Sequence, residues 1–171
     1  MKKVIIMRAV VGSGKTTETN RLVDFYTAEG RSVKVCSTDW YYDGDGEYIF
    51  DINKLGFNHT QNKRRFLECV SDGVEVVIVD NTNTTFKEYR EYMVSALFHG
   101  YDIDILEFTP SMDMVEMLFK RNVHGVPKET IIAMIKRFQP SEQCFNDILV
   151  KESMCVGQEK IEIYKKEIYI D

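Results

Sequence analysis

The sequence predicts an α/β fold in three layers around a central, mainly parallel sheet, and three observations carry that reading. Short apolar runs alternate with longer amphipathic stretches from residue 2 to about residue 150, the pattern of βα units on a parallel sheet. The run Val74-Glu75-Val76-Val77-Ile78-Val79 is β-branched and nearly continuous, as a strand buried on both faces should be. Gly30, Gly73 and Gly100 stand where left-handed residues would end three successive helices.

The elements follow in chain order. Val4-Ile5-Ile6-Met7 lies behind Lys2-Lys3 and is cut off by Arg8, too short for a secretory core, so residues 3–8 form a first strand. A helix over 15–29 leads to a strand at 33–37. The segment from Trp40 to Glu47 is rich in aspartate and glycine and reads as a loop. A helix over 51–72, the strand at 74–80, a helix over 85–99 and a strand at 102–108 come next. Helices over 111–122 and 127–138 flank a basic, glycine-containing break, and Pro127 suits a first helical position. A fifth strand is expected at 147–152. Beyond it, Ile161-Glu162-Ile163-Tyr164 and Ile168-Tyr169-Ile170 surround Lys165-Lys166-Glu167 and predict a C-terminal hairpin or single strand at a sheet edge. Residues 1–152 are read as the main domain and 153–171 as an edge extension of it.

The 171 residues suit one domain, which would bury about two-thirds of the surface its unfolded chain exposes. Hydrophobic residues make up 44% and only three prolines occur, which excludes collagen-like, mucin-like and wholly disordered chains. No apolar run approaches the ~18 residues of a membrane span. Cys36, Cys69, Cys144 and Cys155 are widely spaced, so neither a zinc site nor a disulfide framework is expected, and a reducing cytoplasm is the expected compartment. The net charge is −5, but residues 1–140 hold 18 basic and 20 acidic side chains, leaving most of the acidity in the tail. A nearly balanced domain fits an enzyme that meets a strand end better than a protein that coats nucleic acid with a broad basic face.

Ala9-Val10-Val11-Gly12-Ser13-Gly14-Lys15-Thr16-Thr17 follows the first strand and opens the first helix. This is the setting of a phosphate-binding P-loop, lacking only the first glycine of the pattern. Gly12 and Gly14 let backbone N–H groups turn toward phosphate oxygens, with Val11 and Ser13 completing the loop and the helix dipole adding positive potential. Lys15 is the residue to reach the β- and γ-phosphates, Thr16 the one to ligate Mg²⁺, and Thr17 the next on the first turn, so ATP and Mg²⁺ are the expected cofactors. Ala9 adds one methyl group, which is tolerated where φ is negative.

The second strand ends in Cys36-Ser37-Thr38-Asp39 and the third in Asp80-Asn81-Thr82-Asn83. In a parallel sheet the carboxyl ends of neighbouring strands line one crevice, so Asp39 and Asp80 should share a rim with the P-loop. Asp39 is the candidate to accept a proton from an attacking hydroxyl, and Asn81 is taken with it on the acceptor side. Asp80 is read as a Mg²⁺ contact, with the orientation of loop side chains as the other reading. Arg121, in a lid at about residues 121–128, is the candidate to neutralise charge on the transferring group. Lys63-Arg64-Arg65 spread over a wide arc of their helix and read as a solvated face ahead of a phosphate track.

Together these motifs resemble the P-loop kinases related to the phage-type polynucleotide 5′-hydroxyl kinase, and most nearly the branch formed by kinase domains of animal ubiquitin-ligase-binding proteins. The resemblance covers about residues 3–152 and rests on the P-loop, Ser37-Thr38-Asp39, Asp80-Asn81-Thr82-Asn83 and Arg121-Asn122-Val123-His124-Gly125-Val126 in that order. It implies a P-loop NTPase-type three-layer sandwich with a helical lid, Asp39 as general base, Lys15 and Thr16 as ATP–Mg²⁺ contacts, and Arg121 on the ATP phosphates. Three departures stand out: Ala9 for the first loop glycine, Val11 where relatives often have proline, and Tyr42 where phage-type enzymes carry an acceptor-binding arginine. An aromatic occurs at that last position in the animal branch too, and Trp40, Tyr41 and Tyr42 are candidates to stack on bases, worth about 1–3 kcal/mol per base.

The expected function is ATP-dependent transfer of the γ-phosphoryl group to a hydroxyl, with the 5′-hydroxyl of DNA or RNA as the favoured acceptor. A nucleoside, nucleotide or sugar acceptor is the first alternative, favoured by Tyr42 and the near-neutral charge. A nucleotide-binding switch or scaffold is the second, and it would need neither Asp39 nor Arg121. No membrane partner is expected.

Overall fold

Strict alternation along the strands dictates the layers. The computed structural model describes residues 1–39, 43–44, 47–48, 52–142, 161–166 and 168. In chain order these form β1 (Lys3–Arg8), α1 (Lys15–Ala28), β2 (Val33–Cys36), β3 (Asp43–Gly44), β4 (Glu47–Tyr48), α2 (Leu55–Ser71), β5 (Val76–Asp80), α3 (Phe86–Phe98), β6 (Asp102–Phe108), α4 (Val115–Arg121), α5 (Lys128–Arg137) and β7 (Ile161–Lys166). Five strands pair in the order β2-β5-β1-β6-β7, all parallel. On one face Val4, Ile6, Val77, Val79, Ile103 and Ile105 pack with Phe66, Tyr89 and Tyr92 of α2 and α3. On the other, Ile5, Met7, Val76, Ile78 and Leu106 pack with Leu22, Leu118 and Ile131 of α1, α4 and α5. Each fully buried apolar side chain of this kind contributes roughly 1.5–3 kcal/mol of transfer free energy. Because both faces are covered, β1 and β5 read as unbroken apolar runs.

The first four expected strands and all five expected helices are present. The strand expected at 74–80 begins at Val76, since Val74 N–H closes the turn after α2 on Cys69 O at 3.1 Å. Two helices open with a 3₁₀ turn, Ile52–Lys54 and Met112–Met114. The segment read as a loop contains a short antiparallel ribbon, with Asp43 opposite Tyr48 and Gly44 opposite Glu47; aspartate and glycine serve hairpins as readily as open loops. The strand expected at 147–152 lies outside the described residues. The C-terminal strand is present as β7, which pairs with β6 in parallel from Ile103↔Ile161 to Phe108↔Lys166 and so joins the main sheet at its edge. Ile161 and Ile163 pack toward the α2–α3 face, and Ile168 is buried in the opposite one.

β1 lies between β5 and β6, and the chain leaves β1 through α1 on one face of the sheet and leaves β5 through α3 on the other. The crevice beyond the carboxyl ends of a sheet at such a switch point is where α/β folds bind ligands. No helix among the described residues is long and apolar enough to cross a membrane.

Candidate active site

The loop that leaves β1 is held from below and from behind. Ala9 and Val10 are buried, Val11 is half-buried, and Ala9 N–H donates to Thr82 O at 2.9 Å. Asn83, with φ 47°, is the one non-glycine residue of positive φ among those described, so Ala9 carries no left-handed strain. Ser13 is buried and its Oγ donates to Val10 O at 2.8 Å, which closes the loop on itself. Thr16 and Thr17 are exposed on the first turn of α1, and Gly14 caps that helix at φ 86°. Gly12 has φ 79°, and a β-carbon added there would lie well inside contact with the carbonyl oxygen of Leu118 in α4. The loop and the helix that precedes the lid are therefore packed backbone to backbone. Gly12→Ala should lose at least about 1–2 kcal/mol from the left-handed conformation alone, with the clash added. Nucleotide titration and thermal unfolding check this; wild-type values in both would contradict it.

At the mouth of the loop Lys15 Nζ donates to Asp80 Oδ1, with both side chains nearly buried. A cationic loop residue paired with a strand-end carboxylate is poised to exchange that partner for phosphate oxygens. The Asp80 carboxylate and the Thr16 hydroxyl are hard oxygen donors of the kind Mg²⁺ accepts, so this donor set fits the metal. Among the described residues no group of three histidine, cysteine, aspartate or glutamate side chains that could hold a metal ion occurs. Lys15→Ala removes charge-assisted hydrogen bonds worth about 1.5–3 kcal/mol, roughly ten- to hundredfold in triphosphate binding or turnover. Unchanged ATP titration and turnover would remove the phosphate-binding assignment.

The carboxylate rim is set by Asn81. Its Oδ1 accepts from Thr38 N at 2.9 Å and from Thr38 Oγ1 at 2.7 Å, tying the end of β2 to the end of β5. Asp39 follows directly, half-buried, with its own N–H on Ser37 Oγ at 3.3 Å. Asn81 thereby clamps the Asp39 segment, and its buried Nδ2 has no hydrogen-bond partner among the described residues. His59 of α2 completes this wall, with Nδ1 3.4 Å from Thr38 Oγ1. Burial holds the His59 imidazole below its usual range, against Glu88 and Asp39, which raise it.

Arg121 is the last residue of α4 and half-buried. The turn that follows is built by Asn122, whose Nδ2 donates to Val126 O at 2.8 Å and whose Oδ1 accepts from His124 N at 3.1 Å. An ion pair between Lys128 and Glu116 ties α5 back to α4. Trp40 and Tyr42 lie outside the described residues. Lys63 pairs with Glu91 and Arg64 with Glu68, as side chains of a solvated face do.

One participant escaped the sequence reading. Arg8, there only the residue that ends an apolar run, is fully buried at the base of the P-loop and paired with a fully buried Glu107 at 2.6 Å. A sequence signal existed: an arginine inside a strand that must be covered on both faces needs a buried acid.

The sheet order, the loop and the rim define a nucleotide-binding α/β protein of the P-loop kinase type. No family model matches the chain. Over 142 residues it is 31% identical to human NEDD4-binding protein 2, a match that covers 80% of this chain and spans 8% of that protein's length. Among solved structures it superimposes on a fungal RNA kinase with a TM-score of 0.59 at 15% identity, covering 99% of this chain and 76% of the other. On a chain of the Pnkp1/Rnl/Hen1 RNA repair complex the TM-score is 0.62 at 16% identity, covering 84% and 46%. At such identities the structural likeness establishes the fold. The chain thus resembles the polynucleotide-kinase-like P-loop kinases, in fold by the solved structures and in sequence by its match to a short part of NEDD4-binding protein 2.

Proposed function

We propose that the protein is an ATP-dependent kinase that transfers the γ-phosphoryl group to a hydroxyl, with the 5′-hydroxyl of DNA or RNA as its acceptor. The observation that carries this reading is the shared rim. The Thr38–Asn81 hydrogen bonds tie the segment that carries Asp39 to the end of the strand whose Asp80 pairs with Lys15, which supports a carboxylate on the rim where a phosphate chain would end. The backbone N–H groups from Val11 to Thr17 cradle the phosphates, and Lys15 leaves Asp80 for them. Thr16 and Asp80 hold Mg²⁺, which when bound neutralises phosphate charge. Asp39 takes the proton from the acceptor oxygen as that oxygen attacks in line. Arg121 closes with the lid over the charge on the transferring group, and Trp40 and Tyr42 stack on acceptor bases. A cytoplasmic setting agrees with the unpaired state of Cys36 and Cys69. A small-molecule acceptor is the second reading, favoured by Tyr42 in the place of an acceptor-binding arginine.

The deciding experiment supplies γ-labelled ATP and Mg²⁺ with 5′-hydroxyl oligonucleotides, nucleosides, nucleotides and sugars. Label in oligonucleotides alone is the expected result. Label confined to a small molecule would overturn the acceptor, and slow phosphate release without labelled product would identify a switch.

A further inference from the structure

The reaction leaves His59 without a task, although it is a titratable side chain on the acceptor wall. Its neighbours fix where its proton lies. The Thr38 backbone N–H can only donate, so the Asn81 atom it meets at 2.9 Å is the amide oxygen. The Thr38 hydroxyl gives its one proton to that same oxygen at 2.7 Å. Toward His59 the hydroxyl therefore offers a lone pair, and Nδ1, 3.4 Å away, carries the ring proton. The ring is half-buried, and burial holds it in the neutral form. Nε2 is then a bare acceptor, to which none of the described residues donates. His59 and Lys63 lie one turn apart on α2 and share a face, and Lys63 pairs with Glu91 of α3 at 2.5 Å. His59 thus stands at the mouth of the groove between α2 and α3, level with Glu88, which is one turn ahead of Glu91 and whose charge acts on the ring. Glu88 Oε2 accepts from Thr84 Oγ1 at 3.1 Å and from Thr85 N at 3.2 Å, and Oε1 lies 3.8 Å from Arg137 Nη2. Arg137 Nε in turn donates to Thr84 Oγ1 at 2.9 Å. The mouth therefore sets two carboxylates, Asp39 and Glu88, and a bare imidazole nitrogen against one guanidinium that Glu88 and Thr84 already engage. Such a set repels a phosphate and suits a hydrogen-bond donor.

We propose that His59 Nε2 accepts a hydrogen bond from the 2′-hydroxyl of the acceptor's first nucleotide, so that the protein phosphorylates RNA in preference to DNA. The inference rests on the polynucleotide acceptor proposed above. The sugar at such a 5′ end has two hydroxyls that can donate, because its 3′ oxygen is esterified. The 5′-hydroxyl is assigned to Asp39, which leaves the 2′-hydroxyl, the group that separates RNA from DNA. A 2′-deoxy sugar seated here displaces water from Nε2 and offers that nitrogen no donor in return. Asn81 serves both contacts as a positioning residue: through Thr38 it fixes the Asp39 segment and the tautomer of His59.

The test compares kcat/KM for 5′-hydroxyl oligonucleotides identical except in the first sugar, which is ribose, 2′-deoxyribose or 2′-fluoro-2′-deoxyribose. The fluoro sugar keeps a ribose-like pucker but cannot donate. Ribose should exceed deoxyribose by about ten- to hundredfold, the scale of one hydrogen bond to a group otherwise left unpaired, with the fluoro sugar ranking beside deoxyribose. His59→Asn keeps a donor near the Nδ1 position and removes the Nε2 acceptor, so the preference should disappear. His59→Gln, which brings an amide oxygen to the Nε2 position, should restore part of it. A merely structural defect would lower all three sugars together and leave their ratio unchanged. Equal rates on ribose and deoxyribose, a fluoro sugar as good as ribose, or a preference that survives His59→Asn would each overturn the assignment. If the wild-type protein labels no oligonucleotide, the kinase reading fails; anisotropy titration of the same three oligonucleotides with wild-type protein and His59→Asn then still decides the sugar contact.

Discussion

Asp39→Asn is expected to lower phosphoryl transfer by about 10²–10⁴-fold, the span of general-base catalysis, while leaving ATP affinity unchanged. The amide has the shape of the carboxylate but cannot take up the proton that the acceptor hydroxyl must lose. The substitution spares the frame. Asp39 is held through its backbone N–H on Ser37 Oγ, and its neighbour Thr38 through both bonds to Asn81 Oδ1. None of these uses the Asp39 carboxylate. The Lys15–Asp80 pair, to which the proposal assigns the nucleotide, is also untouched. The loss should therefore appear in kcat rather than in the nucleotide KM, the split that marks an interaction made in the transition state. Labelling rates at saturating ATP, set beside a direct nucleotide titration, separate the two. Wild-type transfer by Asp39→Asn would mean that the hydroxyl loses its proton elsewhere, with His59, 3.4 Å from Thr38 Oγ1, another base on that wall.

Legibility of this molecule in its sequence follows how local each determinant is. β1 and β6 run over the expected residues because their signals are local, an apolar run in β1 and the alternation of Ile103 and Ile105 with acids at the start of β6. Gly12-Ser13-Gly14-Lys15-Thr16 was legible because the loop's backbone needs glycines at fixed places between a strand and a helix; φ is positive at Gly12 and Gly14. The Asp39 segment was legible only as a position on the rim. That Asn81 clamps Thr38 across 43 residues follows from the parallel pairing of β2 with β5, which no local pattern encodes. The register of β7 is of the same kind: Ile161 and Ile163 announce a half-buried strand, but its choice of β6 as a parallel partner is set by tertiary packing.

The largest effect on stability is expected at Arg8. Its guanidinium uses every nitrogen: Nε donates to Asn83 O at 2.9 Å, Nη1 to Glu107 Oε2 at 2.6 Å and to Ser141 Oγ, and Nη2 to Thr84 O at 3.3 Å and Gln139 O at 2.5 Å. Its charge lies over the rings of Tyr89 and Phe138, at 4.6 and 4.8 Å. Arg8→Met fills much of the volume but leaves the fully buried Glu107 with donors, among the described residues, only from Ser141 and Thr109. Removing one partner of a buried pair costs about 3–5 kcal/mol, a large share of the ~5–15 kcal/mol that holds a domain together. At about 2–4 °C per kcal/mol the midpoint should fall by roughly 6–20 °C. Arg8→Met with Glu107→Leu should recover part of that loss, because the uncompensated charge is then gone. Urea unfolding of the two single variants and the double variant measures the coupling. A double variant no more stable than Arg8→Met would mean that the ring contacts and backbone carbonyls, not the ion pair, carry the effect. The pair also has a place in the site: it joins the end of β1 to the loop after β5 and to the chain leaving α5, so the P-loop, the acceptor rim and the lid share one anchor. Nucleotide binding, which stabilises only the folded state, should raise the midpoint of Arg8→Met toward the wild-type value as ATP is increased.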